Sequence, residues 1–204
     1  MYLFSLNLIN IQLMFANIFA VATTLFVVID VLGSIPTIIA AKQKNGGLHP
    51  LPVTLFSGFL MILFLFLGEQ ILNILGVEVK SFALAGSIVL FLMALEMLLG
   101  RDIFKSDGKG GAGNTIVPIA FPLLTGVGTL TTILSLNGKY TKIELLAGIG
   151  ANLLIIFIVL NLIGWLERTL GETTLSVIKK LFGVILLAIA MQMLVSNLLA
   201  QAHE

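Results

Sequence analysis

The sequence predicts an all-α polytopic membrane protein: six transmembrane helices arranged as two inverted three-helix repeats, with the first and fourth helices broken. Three observations lead there. Of the 204 residues, 58% are hydrophobic and only 10% charged, and the mean hydropathy is +1.13; a soluble domain carries about 25% charged residues. Six apolar runs are each long enough to cross a hydrocarbon core, which takes about 20 residues. Two of those runs are interrupted by glycine and proline, and a weak internal match lays one interruption on the other.

The first run, residues 12–41, is too long for one plain crossing. It is interrupted by Asp30-Val31-Leu32-Gly33-Ser34-Ile35-Pro36. Gly33 lets the chain unwind cheaply and Pro36 removes a backbone donor, so the intrahelical ladder breaks here. Broken backbone at membrane depth survives only when buried in protein or lining a polar cavity. Residues 36–41, which include Thr37, then restart as a half-helix. An ionisable residue beside such a break, here Asp30, marks a candidate site.

The second run, 52–75, carries Glu69 and Gln70 near its end, where an interfacial position is expected. The third, 82–100, carries Glu96 late in the span. Glu96 either snorkels to the interface and pairs with Arg101, or handles protons near the inner mouth. Residues 101–114 join the halves. The glycine-rich stretch 106–114 lacks the strand and the Gly-Lys-Ser/Thr ending of a phosphate-binding loop, so it reads as a linker.

The fourth run, 115–137, holds the second interruption, Pro122-Leu123-Leu124-Thr125-Gly126-Val127-Gly128-Thr129. Thr125 or Thr129 is expected to cap the half-helix that follows. The fifth and sixth runs, 143–166 and 176–199, are unbroken. Asn17, Asn152 and Asn161 are expected to bond between helices, and Met93, Met97, Met191 and Met193 to fill the core.

Sliding the chain on itself places Asp30 on Pro122, Pro36 on Gly128, Thr37 on Thr129, Gly68 on Gly164 and Glu96 on Gln192. Breaks fall on breaks, and a lone polar residue falls on another. Three spans per repeat is odd, so the halves are inverted in the membrane, the plan of many secondary transporters. The chain reads as one transmembrane domain, 1–204, with repeat one at 11–100, the linker at 101–114 and repeat two at 115–200.

Charge sets orientation. Lys42, Lys44, Arg101, Lys105, Lys109, Arg168, Lys179 and Lys180 flank the odd-numbered loops, whereas Lys80, Lys139 and Lys142 lie on the other side. This puts the odd loops in the cytoplasm and both termini outside it. The N-terminus lacks the positive n-region of a signal peptide, so the first run is read as retained. A net charge of +1 and the lack of a basic patch argue against nucleic acid. There is no cysteine for thiolate or disulfide chemistry. His49 and His203 lie outside the apolar runs, which argues against a metal site and against an intramembrane metalloprotease.

The candidate substrate- or ion-binding residues are Asp30, Gly33, Ser34, Pro36 and Thr37 at the first break, and Pro122, Thr125, Gly126, Gly128 and Thr129 at the second. Glu96 is a candidate proton-handling residue. Two half-helix N-termini meeting near the midplane suit the carboxylate of a small zwitterion. Asp30 then suits its ammonium group or a coupling Na⁺ or H⁺. The plainer reading is that Asp30 accepts hydrogen bonds from backbone freed at the break.

The run from Val27 to Pro36 resembles the first-span motif of the MarC family of bacterial and archaeal membrane proteins, usually Asp-Pro-Leu-Gly-Asn-x-Pro. The run from Ala85 to Met97 resembles its third-span motif. The run from Val117 to Thr129 resembles its fourth-span motif, usually Pro-x-x-x-Pro-x-x-x-Gly-Pro-Gly. Val31 and Val127 stand where prolines are usual, so each break is less rigidly enforced. The resemblance implies a six-span protein of the bacterial or archaeal inner membrane and a neutral amino-acid transporter or exporter.

A secondary transporter of a small zwitterionic solute, probed first as a neutral amino acid and coupled to H⁺ or Na⁺, is thus the leading expectation. No cofactor is expected beyond the coupling ion, and the partners are a small-molecule substrate and membrane lipid, with an oligomer left open. An uncoupled channel or permease, or a non-transporting assembly or stress protein, are the alternatives; an enzyme is not expected.

Overall fold

A computed structural model describes residues 2–45, 47–100 and 119–202. The described residues form helices joined by short turns. They are α1 (Tyr2–Ile29), α2 (Ile35–Asn45), α3 (Pro50–Ile74), α4 (Val79–Leu99), the short wound element α5 (Ile119–Leu124), α6 (Val127–Asn137), α7 (Lys142–Thr169) and α8 (Glu172–Ala202). Within them, α3, α4 and α7, together with stretches of α1 and α8, are long and apolar enough to cross a membrane, and α6 is a shorter apolar helix.

Local chemistry explains the boundaries. Pro50 and Pro52 open α3, where the missing amides would have had no helical acceptor. Gly76 and Gly100 adopt left-handed φ of 67° and 64° just past α3 and α4, a conformation that costs glycine nothing. Thr141 begins α7 through a reciprocal capping box: its hydroxyl accepts the Glu144 amide, and the Glu144 carboxylate accepts the Thr141 amide.

The unbroken runs match the expected spans to within about four residues, the usual boundary error. The first run differs. Helix α1 begins at Tyr2 and is by itself as long as a crossing, so the first break ends a span-length helix instead of dividing one. The half-helix α2 continues to Asn45, beyond the expected end at 41. The fourth run is divided between α5 and α6. The linker 101–114, the glycine-rich stretch 106–114 within it, Arg101 and the first residues of the fourth run lie outside the described residues.

Helix α4 lies along α8, and α1 along α7. Helix α3 packs on α5, α6 and α7, while α6 also touches α1 and α4. One buried apolar cluster takes Val31 and Ile35 from the first break and Ile119, Ala120 and Leu124 from the second, with Ile149, Ile156 and Leu160 of α7. A second joins Val28, Leu90, Ala94 and Met97 to Leu186 and Ala190 of α8. The outside of the bundle is apolar too, with Phe15, Phe19, Leu55, Phe59 and Leu181 exposed, as a surface facing lipid should be.

Candidate functional site

The first break is a closed turn. Helix α1 ends where the Asp30 amide donates to the Phe26 carbonyl at 3.1 Å, and Asp30 itself adopts φ 49°. Left-handed backbone is unusual for a non-glycine residue, and Asp is among the few types that tolerate it. The Asp30 carbonyl accepts the Ser34 amide at 3.0 Å, and its carboxylate Oδ1 accepts the Gly33 amide at 3.2 Å. The Leu32 carbonyl accepts the Ile35 amide, and the Ser34 carbonyl accepts the Ile38 amide as the first rung of α2. Pro36 has no amide to satisfy. Most donors freed by this break are therefore used inside the chain, and the carboxylate sits at the turn preceding the α2 N-terminus.

Asp30 is only 5% exposed, and Ser34 is also buried. A Cβ on Gly33 would press on the Asp30 carboxylate and on the Met97 methyl of α4, so any side chain there must displace both. Thr37 lies in the first turns of α2.

The second break is built differently. Phe121, with φ −139° and ψ 130°, is extended in the middle of α5, so the chain is not a continuous helix there. The Thr125 amide reaches back to the Ala120 carbonyl at 2.9 Å, a wide rung of the kind found at helix bulges. Pro122 lies within α5. Helix α6 then follows its N-cap Gly126, and no side chain caps it among the described residues. Its first rung is the Leu130 amide to the Gly126 carbonyl at 3.1 Å.

The expected threonine cap is absent. The Thr129 hydroxyl donates to the Leu124 carbonyl at 3.2 Å, and Thr131 and Thr132 both donate to the Gly128 carbonyl. A hydroxyl spent as a donor on a carbonyl does not accept from an amide in the capping geometry. Thr125 Oγ1 is fully buried and has no hydrogen-bond partner among the described residues. Gly128 is pressed against the Leu90 side chain of α4, which leaves no room for a Cβ.

Glu96 lies in the last turns of α4, half-buried, one residue before Met97. Its expected partner Arg101 lies outside the described residues.

Asn17 bonds between helices as expected, but its partner and several other polar contacts were not legible from the sequence. Glu144, 5% exposed, accepts a 2.8 Å hydrogen bond from Asn17 Nδ2 and so ties α7 to α1. The Thr-x-x-Glu pattern at Thr141 signals the local part that Glu144 plays in capping α7, not its bond to α1. Asn152 Nδ2 donates to the Ala22 carbonyl of α1 at 3.0 Å, as expected for an interhelical bond. Asn161, by contrast, bonds within its own helix to the Phe157 carbonyl. Met97 is buried, whereas Met191 is exposed and fills no core. Glu167 accepts from Lys42 Nζ and from Gln43 Nε2, both at 2.7 Å, holding α2 to the end of α7. Glu69 accepts from Asn137 Nδ2 at 3.3 Å, which links the ends of α3 and α6. Ser57 Oγ of α3 is the other fully buried hydroxyl without a partner among the described residues, and nothing in its sequence context marks it. No group of three His, Cys, Asp or Glu side chains able to hold a metal occurs among the described residues.

Residues 15–201 match the sequence model of the MarC family, described as MarC family integral membrane protein. Among curated proteins, the chain is 28% identical to a UPF0056 membrane protein of Aquifex aeolicus (strain VF5), covering 86% of this chain and 89% of that one. It is 29% identical to the UPF0056 inner membrane protein YhgN of Escherichia coli (strain K12), covering 89% and 96%. It is 24% identical to the UPF0056 membrane protein YvbG of Bacillus subtilis (strain 168), covering 91% and 96%. No solved structure matches the chain.

Proposed function

The chain belongs to the MarC family of integral membrane proteins, and from that premise we propose that it is a secondary transporter of a small zwitterionic solute, a neutral amino acid, coupled to H⁺ or Na⁺. One observation carries the proposal: two interrupted helices bury their breaks in the bundle, and one break holds a carboxylate. An unbroken apolar helix would span the bilayer without either feature, and ionisable groups at such depth usually mark substrate or ion paths. No nucleotide-binding motif is present, so an ion gradient is the energy source the proposal invokes.

The same proposal treats α1–α4 and α5–α8 as two inverted repeats. Its support is the pairing of elements. The third span of each half, α4 and α8, lie along each other, and so do the second spans, α3 and α7. The first span of each half also crosses to the second span of the other, α1 with α7 and α6 with α3. A twofold relation between the halves would give this set of contacts, and the odd number of spans per half requires its axis to lie in the membrane plane.

The bond from Gly33 to Asp30 favours a second reading, in which the carboxylate only closes the turn and the path is an uncoupled permease. Flux of neutral amino acids in proteoliposomes, with Na⁺ and H⁺ gradients imposed separately, decides between them. Coupled transport shows uphill accumulation under one gradient. A permease equilibrates the solute and ignores both gradients. Absence of flux for every solute tested would defeat the transport reading.

A further inference from the structure

The two breaks are not equivalent in what they leave unpaired. At the first, the Asp30 carboxylate already lies against the freed Gly33 amide. At the second, the amides of Val127, Gly128 and Thr129 precede the first rung of α6 and have no helical acceptor, and no side chain caps them among the described residues. This end is buried: Gly126, Gly128 and Thr129 are all inside the protein. Its aligned peptides place about half a positive charge there. A buried helix end without partners is costly in an apolar medium and calls for an anion or water.

Two independent observations point to a ligand at this end. Thr125, adjoining the end, is 0% exposed with an unpartnered hydroxyl. Ser57, also 0% exposed, carries the other such hydroxyl, on a helix that packs against α5 and α6. Helices α3 and α6 run parallel, with Gly68 against Leu134 and Glu69 bonded to Asn137. Ser57 lies about three turns, or about 16 Å, before Gly68 on α3 and so on the same face of that helix, while Thr125 immediately precedes Gly126, the N-cap of α6. Ser57 therefore lies on the face of α3 that meets α6, and Thr125 adjoins the open end of α6. A serine or threonine on a helix easily bonds a carbonyl one turn back, as Thr54 does to Pro50, so a Ser57 that does not is unusual.

We infer that the open N-terminus of α6, with the hydroxyls of Thr125 and Ser57, binds the carboxylate of the transported solute. The donors are of one sign and of sufficient number: three amides and two hydroxyls against the roughly four lone-pair sites of a carboxylate. At the first break the Asp30 carboxylate accepts a freed amide, that of Gly33, from within the chain, whereas the second break holds no carboxylate of its own among the described residues, and there we place the external anion. The assignment to a transported solute rests on the transporter reading; the anion site itself does not.

The test uses the full chain in detergent and in vesicles. Thermal unfolding is measured against increasing acetate, L-alanine and L-alaninamide, which lacks the carboxylate. Acetate and L-alanine are expected to raise the unfolding midpoint, and L-alaninamide is not. Thr125→Val and Ser57→Ala should each weaken the acetate response at least tenfold. Without ligand, their midpoints should equal or exceed that of the parent, since each removes an unpaired buried hydroxyl. A lowered midpoint with the acetate response intact would make both hydroxyls structural and overturn the site. So would a parent protein indifferent to acetate, even if it transports L-alanine. Conversely, an acetate response lost in both variants, with no flux of any amino acid, would uphold the anion site and defeat the transport reading.

Discussion

At the scale of single residues, Asp30 carries two tasks that substitutions separate. Its left-handed φ of 49° and its bond to the Gly33 amide hold the turn. Asparagine tolerates the same backbone and offers a carbonyl oxygen in the same place. Asp30→Asn is therefore expected to fold with an unchanged unfolding midpoint and to lose the charge alone. If the carboxylate handles the coupling ion or the solute ammonium, flux in reconstituted vesicles falls tenfold or more, the equivalent of about 1.4 kcal/mol. Normal flux with normal coupling in Asp30→Asn would end any mechanistic part for this carboxylate. Asp30→Ala removes both tasks and should also lower stability, by about 1–2 kcal/mol for the left-handed backbone. Gly33→Ala probes the same turn sterically: the added methyl meets the Asp30 carboxylate and Met97. Overpacking of this kind costs about 1–3 kcal/mol, readable as a lowered thermal midpoint.

At the scale of elements, the half-helix α2 is held by the first break at one end and by Glu167 at the other. Lys42 and Gln43 both donate to that carboxylate, and Lys42 and Glu167 are partly shielded from solvent. Lys42→Gln and Glu167→Gln are each expected to lower the unfolding midpoint by a few degrees, and the exchange Lys42→Glu with Glu167→Lys to recover most of it. An exchange no better than the single changes would show that α2 is held by its turn and not by this ion pair. The breaks were legible in the sequence because their causes are local: Gly33 with Pro36, and Pro122 with Gly126 and Gly128, disrupt a helix wherever they stand. The spans were legible because lipid demands long apolar runs. What each break does with its freed donors was not, because it depends on backbone angles at Asp30 and Phe121 that composition does not encode. The expected threonine cap failed for that reason. That Asn17 bonds between helices was legible, but its partner Glu144 and the setting of Ser57 were not, because both depend on helices far apart in the chain, and a serine in an apolar run looks the same whether it faces a neighbour, lipid or a ligand.

At the scale of the whole molecule, the repeat and the orientation are one problem. If α1–α4 and α5–α8 are inverted copies, each half crosses the membrane an odd number of times, and the termini lie on one common side. Lysine and arginine then decide which side. Eight flank the loops after the first, third and fifth runs, and Lys80, Lys139 and Lys142 flank the others. Pairing of Lys42 with Glu167 does not weaken this bias, because acidic residues contribute little to topology. Both termini are therefore expected outside the cytoplasm, with the linker 101–114 inside. The Lys42–Glu167 pair then belongs to the cytoplasmic end of the bundle and the Asn137–Glu69 bond to the opposite end. Reporter fusions decide it. A fusion after Ala202 should give the periplasmic signal, and one inserted within residues 106–113 the cytoplasmic signal. A cytoplasmic signal at Ala202 with the linker also inside would require an odd number of crossings after the linker to be wrong, and the inverted repeat would fall with it. Reversed signals at both positions would keep the repeat and overturn only the direction set by charge.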